Sequence, residues 1–401
     1  MQPSTVLILV ALVMYVLVPL PWVIYRPEGL FYRVDLEQLP WMLTQFALFL
    51  CGWIAGTRYV RRVAWRSEEL GHTAASQQRH EGTLVLLSVV ALVVSLLANG
   101  YLFSIGALQI DELSGRPRIP VVTSLASAHI FALILSIAAA LHRRAPRPLL
   151  VWMAVTCAVV TIALGLLEGR RTAVALPVLV LLVIAIVRGH RRAIRWCMGL
   201  IPVAVALFLL ATWMRTDTEA EYLADASIME IAVDAVVGRL GNPLLILAPI
   251  LDDAASSTTP FDPHTIQSLL SSLPNLSLID PPFVTGFGNE FGRAMGLLPD
   301  SNDFTGINSG WVGELFMLGG PAAVAIGAAA IGYLTLFAWH LVAAQSVAAT
   351  FLRVMVCVFV VSGFQMEIPF PIISLLRAMV IACGLAWLES WAMKRPGLDH
   401  A

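Results

Sequence analysis

"GINSGWVGELFMLGGPAA", Gly306–Ala323, carries the chain from a polar loop into a long apolar segment. One carboxylate, Glu314, stands at that threshold, between Gly313 and Leu315. A charge in lipid costs a few kcal/mol. The stretch can therefore be read only once it is known whether the segment after it crosses a membrane. Composition answers that. Of 401 residues, 58% are hydrophobic and 13% charged, against about 25% charged in an average soluble domain. The mean hydropathy is +0.81.

A helix needs roughly 20 apolar residues to cross the hydrocarbon layer. Ten such runs recur, at about 5–25, 39–58, 82–103, 120–141, 148–168, 172–188, 195–214, 317–341, 348–366 and 370–391. The expected fold is an all-α polytopic membrane protein in three parts. Residues 1–214 form an N-terminal bundle of about seven spans, 215–310 a large loop, and 311–401 a C-terminal set of about three spans. The first run has no basic leader and no small-residue cleavage pattern, so it reads as a retained helix. All five cysteines, Cys51, Cys157, Cys197, Cys357 and Cys383, fall in spans, which leaves the loop without a disulfide framework or a Cys metal site. Trp22, Trp41, Trp213, Trp311 and Trp391 fall near span ends, as in an interfacial aromatic belt.

Basic residues in short loops set the orientation. One set of loops holds fifteen: Arg58, Arg61, Arg62, Arg66, Arg79, Arg143, Arg144, Arg147, Arg188, Arg191, Arg192, Arg195, Arg353, Lys394 and Arg395. The opposite short loops hold six: Arg26, Arg33, Arg116, Arg118, Arg170 and Arg171. Both termini are thus expected in the cytoplasm and residues 215–310 outside it.

That loop has thirteen Asp and Glu but only three arginines, Arg215, Arg239 and Arg293. "DASIMEIAVDAVVGRLGN" spaces polar residues at helical intervals and reads as an amphipathic helix ended by Gly238, Gly241 and Pro243. A loop of this length is usually functional. "TGFGNEFG" lacks the preceding strand of a dinucleotide motif and reads as a turn. Asp252 and Asp253 have no partner ligands at useful spacing, so no metal is expected. His264, the one histidine of the loop, is a surface residue or a base; His129, in mid-span, reads as packed and hydrogen-bonded.

Three features rise above this background: the Glu168–Arg170–Arg171 turn in "LLEGRRTAV", Arg377 seven residues into a span, and Glu314. The paired arginines oppose the positive-inside bias, and an intramembrane arginine is a functional hypothesis in its own right. Arginine suits bidentate phosphate binding, and a membrane-anchored pyrophosphate would lie at this depth.

"NSGWVGELFMLGGPAA" resembles the segment that follows the large periplasmic loop of Wzy-type O-antigen and exopolysaccharide polymerases, here through Ser309, Gly313, Glu314, Phe316, Gly319 and Gly320. "LEGRRTAV" is similar to the family's Gly-x-Arg helix opening, "VVGRLGN" to its arginine-bearing loop helix, and "SLLRAMV" to the arginine of a late helix. The related O-antigen ligases carry His-x-[Asn/Ser/Gln]-x9-Gly-x-x-Gly; Ser309 and Gly319 fit that pattern, whereas Ile307 and Ala322 depart from it.

The resemblance implies a GT-C-like bundle in the bacterial inner membrane. Its activity would be metal-independent and cofactor-free glycosyl transfer between polyprenyl-diphosphate-linked oligosaccharides. Membrane lipid, a chain-length regulator and a flippase would be its partners, with no nucleic acid. Candidates for binding the diphosphate are Arg171, Arg170, Arg215, Arg239, Arg293 and Arg377. Candidates for the catalytic carboxylate or base are Glu314, Glu290 and His264, in that order. Glu314 reads as this base, as the partner of a phosphate-binding arginine, or as half of a structural ion pair. A ligase, a transporter or flippase, and an assembly scaffold are the competing classes.

Overall fold

The computed structural model describes residues 8–9, 11–25, 36–62, 74–106, 120–141, 148–167, 171–188, 190–213, 310–342, 346–364, 366 and 368–393, with a few positions between 244 and 273. In chain order the α-helices are α1 (Leu20–Tyr25), α2 (Leu39–Arg62), α3 (Ala74–Ser104), α4 (Pro120–Ala126), α5 (Ala128–Ala140), α6 (Pro148–Leu167), α7 (Arg171–Arg188), α8 (Arg191–Trp213), α9 (Gly310–His340), α10 (Val347–Ser362) and α11 (Pro369–Met393). No strand occurs among the described residues. Among the described residues, six segments are long and apolar enough to cross a membrane: Leu39–Arg58, Leu84–Ser104, Val121–Ala140, Pro148–Leu167, Gly310–His340 and Pro369–Trp391. Apolar side chains such as Leu97, Phe103, Trp152 and Ile326 point outward, as lipid-facing residues do.

The chain divides into two compact units. Unit 1 comprises 1–66, 226–341 and 355–378, and its centre is the pairing of α2 with α9. The cause lies in "CGWIAG". A Cβ at Gly52 or Gly56 would overlap the carbonyl oxygens of Ala325 and Ala329, and one at Gly332 would lie 2.7 Å from Trp53 O. Small residues at four-residue spacing let two helix backbones touch, which is how helices associate where lipid removes the hydrophobic drive. Both pairs share one offset, so α2 runs parallel to this part of α9.

Helix α9 is not one straight span. Gly319 (φ 175°, ψ 33°) and Gly320 (φ 65°, ψ −155°) leave helical geometry, and only glycine adopts the second conformation readily. Pro321 then opens the next helix, where its fixed φ and missing N–H cost nothing. The chain reverses at this point: a Cβ at Gly327 would overlap the Leu315 side chain twelve residues earlier. A straight helix would separate those residues by about 18 Å. The first arm, 310–318, is about 13 Å long, well short of the ~30 Å core. It is therefore re-entrant, folded back on the second arm, 321–340, which alone spans. The apolar run expected at 317–341 corresponds to that second arm.

Unit 2 comprises 67–225, 342–354 and 379–401. Here α3 packs on α4 and α5, α5 on α6, α6 on α7 and α7 on α8. His190 Nε2 donates to Leu141 O at 2.7 Å, which ties the turn after α5 to the turn after α7. Leu141 and His190, each just past the end of its helix, thus lie on one side. The α4–α5 break places three donors on one carbonyl, Ala126 O: Ser95 Oγ, Asn99 Nδ2 at 2.9 Å and His129 Nδ1 at 2.8 Å. His129 is packed and hydrogen-bonded, and it helps satisfy a backbone group freed by the bend.

Candidate functional site

The site lies in unit 1, where the re-entrant arm runs past the break between α10 and α11. Gly310 has φ +62°, and a Cβ there would stand 2.6 Å from Phe364 O, so this position requires glycine. Trp311 N–H donates to Gly363 O at 2.8 Å, and the Trp311 indole lies so close over Gly363 that a Cβ would overlap it. Trp311 is the hub of a buried aromatic cluster, with ring centroids 5.0 Å from Phe359, 5.8 Å from Phe364, 5.9 Å from Phe49 and 6.1 Å from Trp53. It is 0% exposed, so it is a core residue and not part of an interfacial belt. The expectation for a span end fails because Trp311 begins a re-entrant arm.

One turn on, Glu314 is also 0% exposed. Its Oε2 accepts the Ile368 backbone N–H at 2.5 Å. Ile368 precedes α11, which opens "PFP". Pro369 and Pro371 remove two first-turn donors that the helix could not satisfy, and Glu314 takes the donor at Ile368. The positive end of the helix dipole favours a carboxylate there. A hydrogen bond to a charged group contributes about 1.5–3 kcal/mol and a favourable partly buried dipole up to ~2 kcal/mol. Together these offset a membrane-depth penalty of a few kcal/mol. The arrangement recurs in unit 2, where Glu389 Oε1 accepts the Val347 N–H at the start of α10 at 2.9 Å. Capping a neighbouring helix is a role for Glu314 beyond the base, arginine partner or ion pair expected from sequence. "EIPFP" was the available signal, since two prolines mark a helix start.

Arg377 is half-buried on α11, nine residues beyond Ile368 and so about 13 Å along the helix from the Glu314 contact. Arg171 is the first residue of α7, in unit 2, and its side chain is outside the described set. Arg170, Arg215, Arg239, Arg293, Glu290 and His264 also lie outside the described residues, as does the amphipathic helix expected around 227–238. Within the long loop, Leu244, Ile246, Leu247, Ala248, Ile250 and Leu251 are helical and buried. The helix expected in this loop ends by Pro243, so this turn lies beyond it. The signal was the apolar run "LLILAPIL" immediately after it.

These helices define the class: an all-helical, multi-pass membrane protein with a re-entrant arm that buries a carboxylate. No family model, no curated protein and no solved structure matches the chain.

Proposed function

We propose that the protein polymerises polyprenyl-diphosphate-linked oligosaccharide repeat units at the outer face of the bacterial inner membrane, by metal-independent glycosyl transfer. The proposed topology has ten spans, both termini in the cytoplasm and 215–310 in the periplasm. The observation that carries the reading is the re-entrant arm. The segment that resembles the polymerases holds a buried Glu314 against the start of the helix that bears Arg377. In the proposed topology this arm and the long loop share the outer side, as a one-sided enzyme requires. Arg377, with Arg171, Arg239 and the other loop arginines, would stabilise charge on the departing diphosphate. Glu314, Glu290 or His264 would orient or deprotonate the acceptor hydroxyl. A Glu314 carboxylate fixed on Ile368 suits orientation better than proton abstraction.

Deleting the gene tests this reading. Long-chain polysaccharide should disappear while single repeat units remain on their carrier; unchanged chain lengths would contradict it. A transporter or flippase is the second reading. It is favoured by the helix breaks in α9 and between α4 and α5, together with the buried Ser95–Asn99–His129 cluster, because broken helices build transport sites. In that case the units should accumulate facing the cytoplasm. A ligase would instead leave the polymer intact but unattached.

A further inference from the structure

Gln45, on α2, is 0% exposed, and neither its amide nitrogen nor its amide oxygen has a hydrogen-bond partner among the described residues. Buried side-chain amides are nearly always paired, and this one carries two donors and an acceptor. Its location follows from helix geometry. Gln45, Gly52 and Gly56 are seven and eleven residues apart, which at about 100° per residue puts all three on one line of the helix. That line faces the second arm of α9, because Gly52 abuts Ala325 and Gly56 abuts Ala329. The shared offset pairs Pro321, where the second arm begins, with Leu48, and sets Gln45 just under one turn beyond that level, at the Gly319–Gly320 reversal.

The reversal is the second observation, and it is independent of the first. Gly319 and Gly320 leave the helical ladder, and a broken helix frees backbone donors and acceptors. Gly319 is exposed and a Cβ at Gly320 would meet nothing within 4 Å, so the reversal is open to a ligand. An unpaired amide and freed backbone groups thus occupy the same place in the fold, a place that suits a ligand offering donors and acceptors together. A phosphate offers acceptors only and would call for arginine. Neighbouring hydroxyls or an acetamido group offer both.

We propose that Gln45 is a saccharide-recognition residue, its amide at the Gly319–Gly320 reversal hydrogen-bonding hydroxyl or acetamido groups of the lipid-linked repeat unit. The assignment rests on the polymerase reading and extends it, separating sugar recognition on α2 from diphosphate binding by the arginines.

The test uses the purified full-length protein and the lipid-linked repeat unit extracted from the deletion strain. The variant is Gln45→Met, which keeps length and apolar volume but removes the amide. Its thermal stability should equal or exceed wild type, because an unpaired buried amide is lost. Its KM for the repeat unit should rise about tenfold or more, as for a lost ligand hydrogen bond, with kcat within about twofold. Polyprenyl diphosphate without sugar should protect variant and wild type equally in a thermal-shift assay. A wild-type KM for Gln45→Met would overturn the proposal and leave the polymerase reading intact. So would a variant that melts lower, since the amide would then be a structural partner. No product from the wild type would instead remove the polymerase reading, and the saccharide assignment with it.

Discussion

Replacing Glu314 with Gln isolates the charge of the cap. The glutamine oxygen can still accept from Ile368, but the bond falls from the charged class to the neutral one, a difference of about 1–1.5 kcal/mol. Most of the helix-dipole contribution, up to ~2 kcal/mol in buried geometry, goes as well. Two new amide donors also enter a fully buried position. A loss of about 2–3 kcal/mol follows, and in a chain of this size it should lower the apparent melting temperature by about 2–4 °C. Glu314→Ala should cost at least as much, because it leaves the Ile368 N–H unpaired and a cavity beside it. Glu389→Gln supplies the control. It removes the same kind of cap at Val347, at a partly exposed position, so the shift should be smaller, on the order of 1 kcal/mol. Thermal unfolding of the detergent-purified variants reads the stability, and polymer yield in the complemented deletion strain reads activity. If Glu314 also orients the acceptor, its Gln variant should abolish polymer at near-normal protein level while Glu389→Gln retains it. A Glu314→Gln protein that melts with the wild type would refute the capping argument. Normal polymer in that variant would exclude any role for the charge in the chemistry.

Further outcomes follow from the same physical picture. Reporter fusions around residues 70, 145 and 190 should register cytoplasm and fusions near 255 periplasm; a cytoplasmic signal at 255 would remove the outer-facing site. Arg171→Lys, Arg239→Lys and Arg377→Lys keep charge but lose the planar fork, so activity should fall sharply in all three if they share a diphosphate; full activity in all three would leave only loose ion pairs. Gly56→Ala should sharply reduce folded protein, because its Cβ would overlap backbone at Ala329, whereas Gly100→Ala meets nothing within 4 Å and should gain about 0.5–1 kcal/mol from helix propensity. Equal yields of these two alanine variants, by detergent size-exclusion, would contradict the α2–α9 packing.

The spans at 39–58, 82–103, 148–168 and 370–391 were legible because long apolar runs have few alternatives to a membrane helix. The re-entrant arm was not, since hydropathy is blind to direction and "WVGELFMLGGPAAVAIG" reads as one run. Its signal was chemical: two glycines followed by a proline, the residues a reversal and a fresh helix start require. The α2–α9 seam was also written, as Gly52 and Gly56 four residues apart, but small residues declare an interface only when the partner is known. Glu314 was singled out by its cost in lipid. Its partner was not foreseeable, because Ile368 is 54 residues away and a backbone N–H leaves no mark on sequence. The α4–α5 bend at Ser127 likewise has no Gly or Pro to announce it.

The most direct test of the account is reconstitution. Purified protein in liposomes, given only the lipid-linked repeat unit and no added metal, should produce a ladder of products separated by one repeat each, and Glu314→Gln should produce none. Repeat units that remain single, whether untouched or merely moved across the bilayer, would contradict the claim that this protein forms glycosidic bonds.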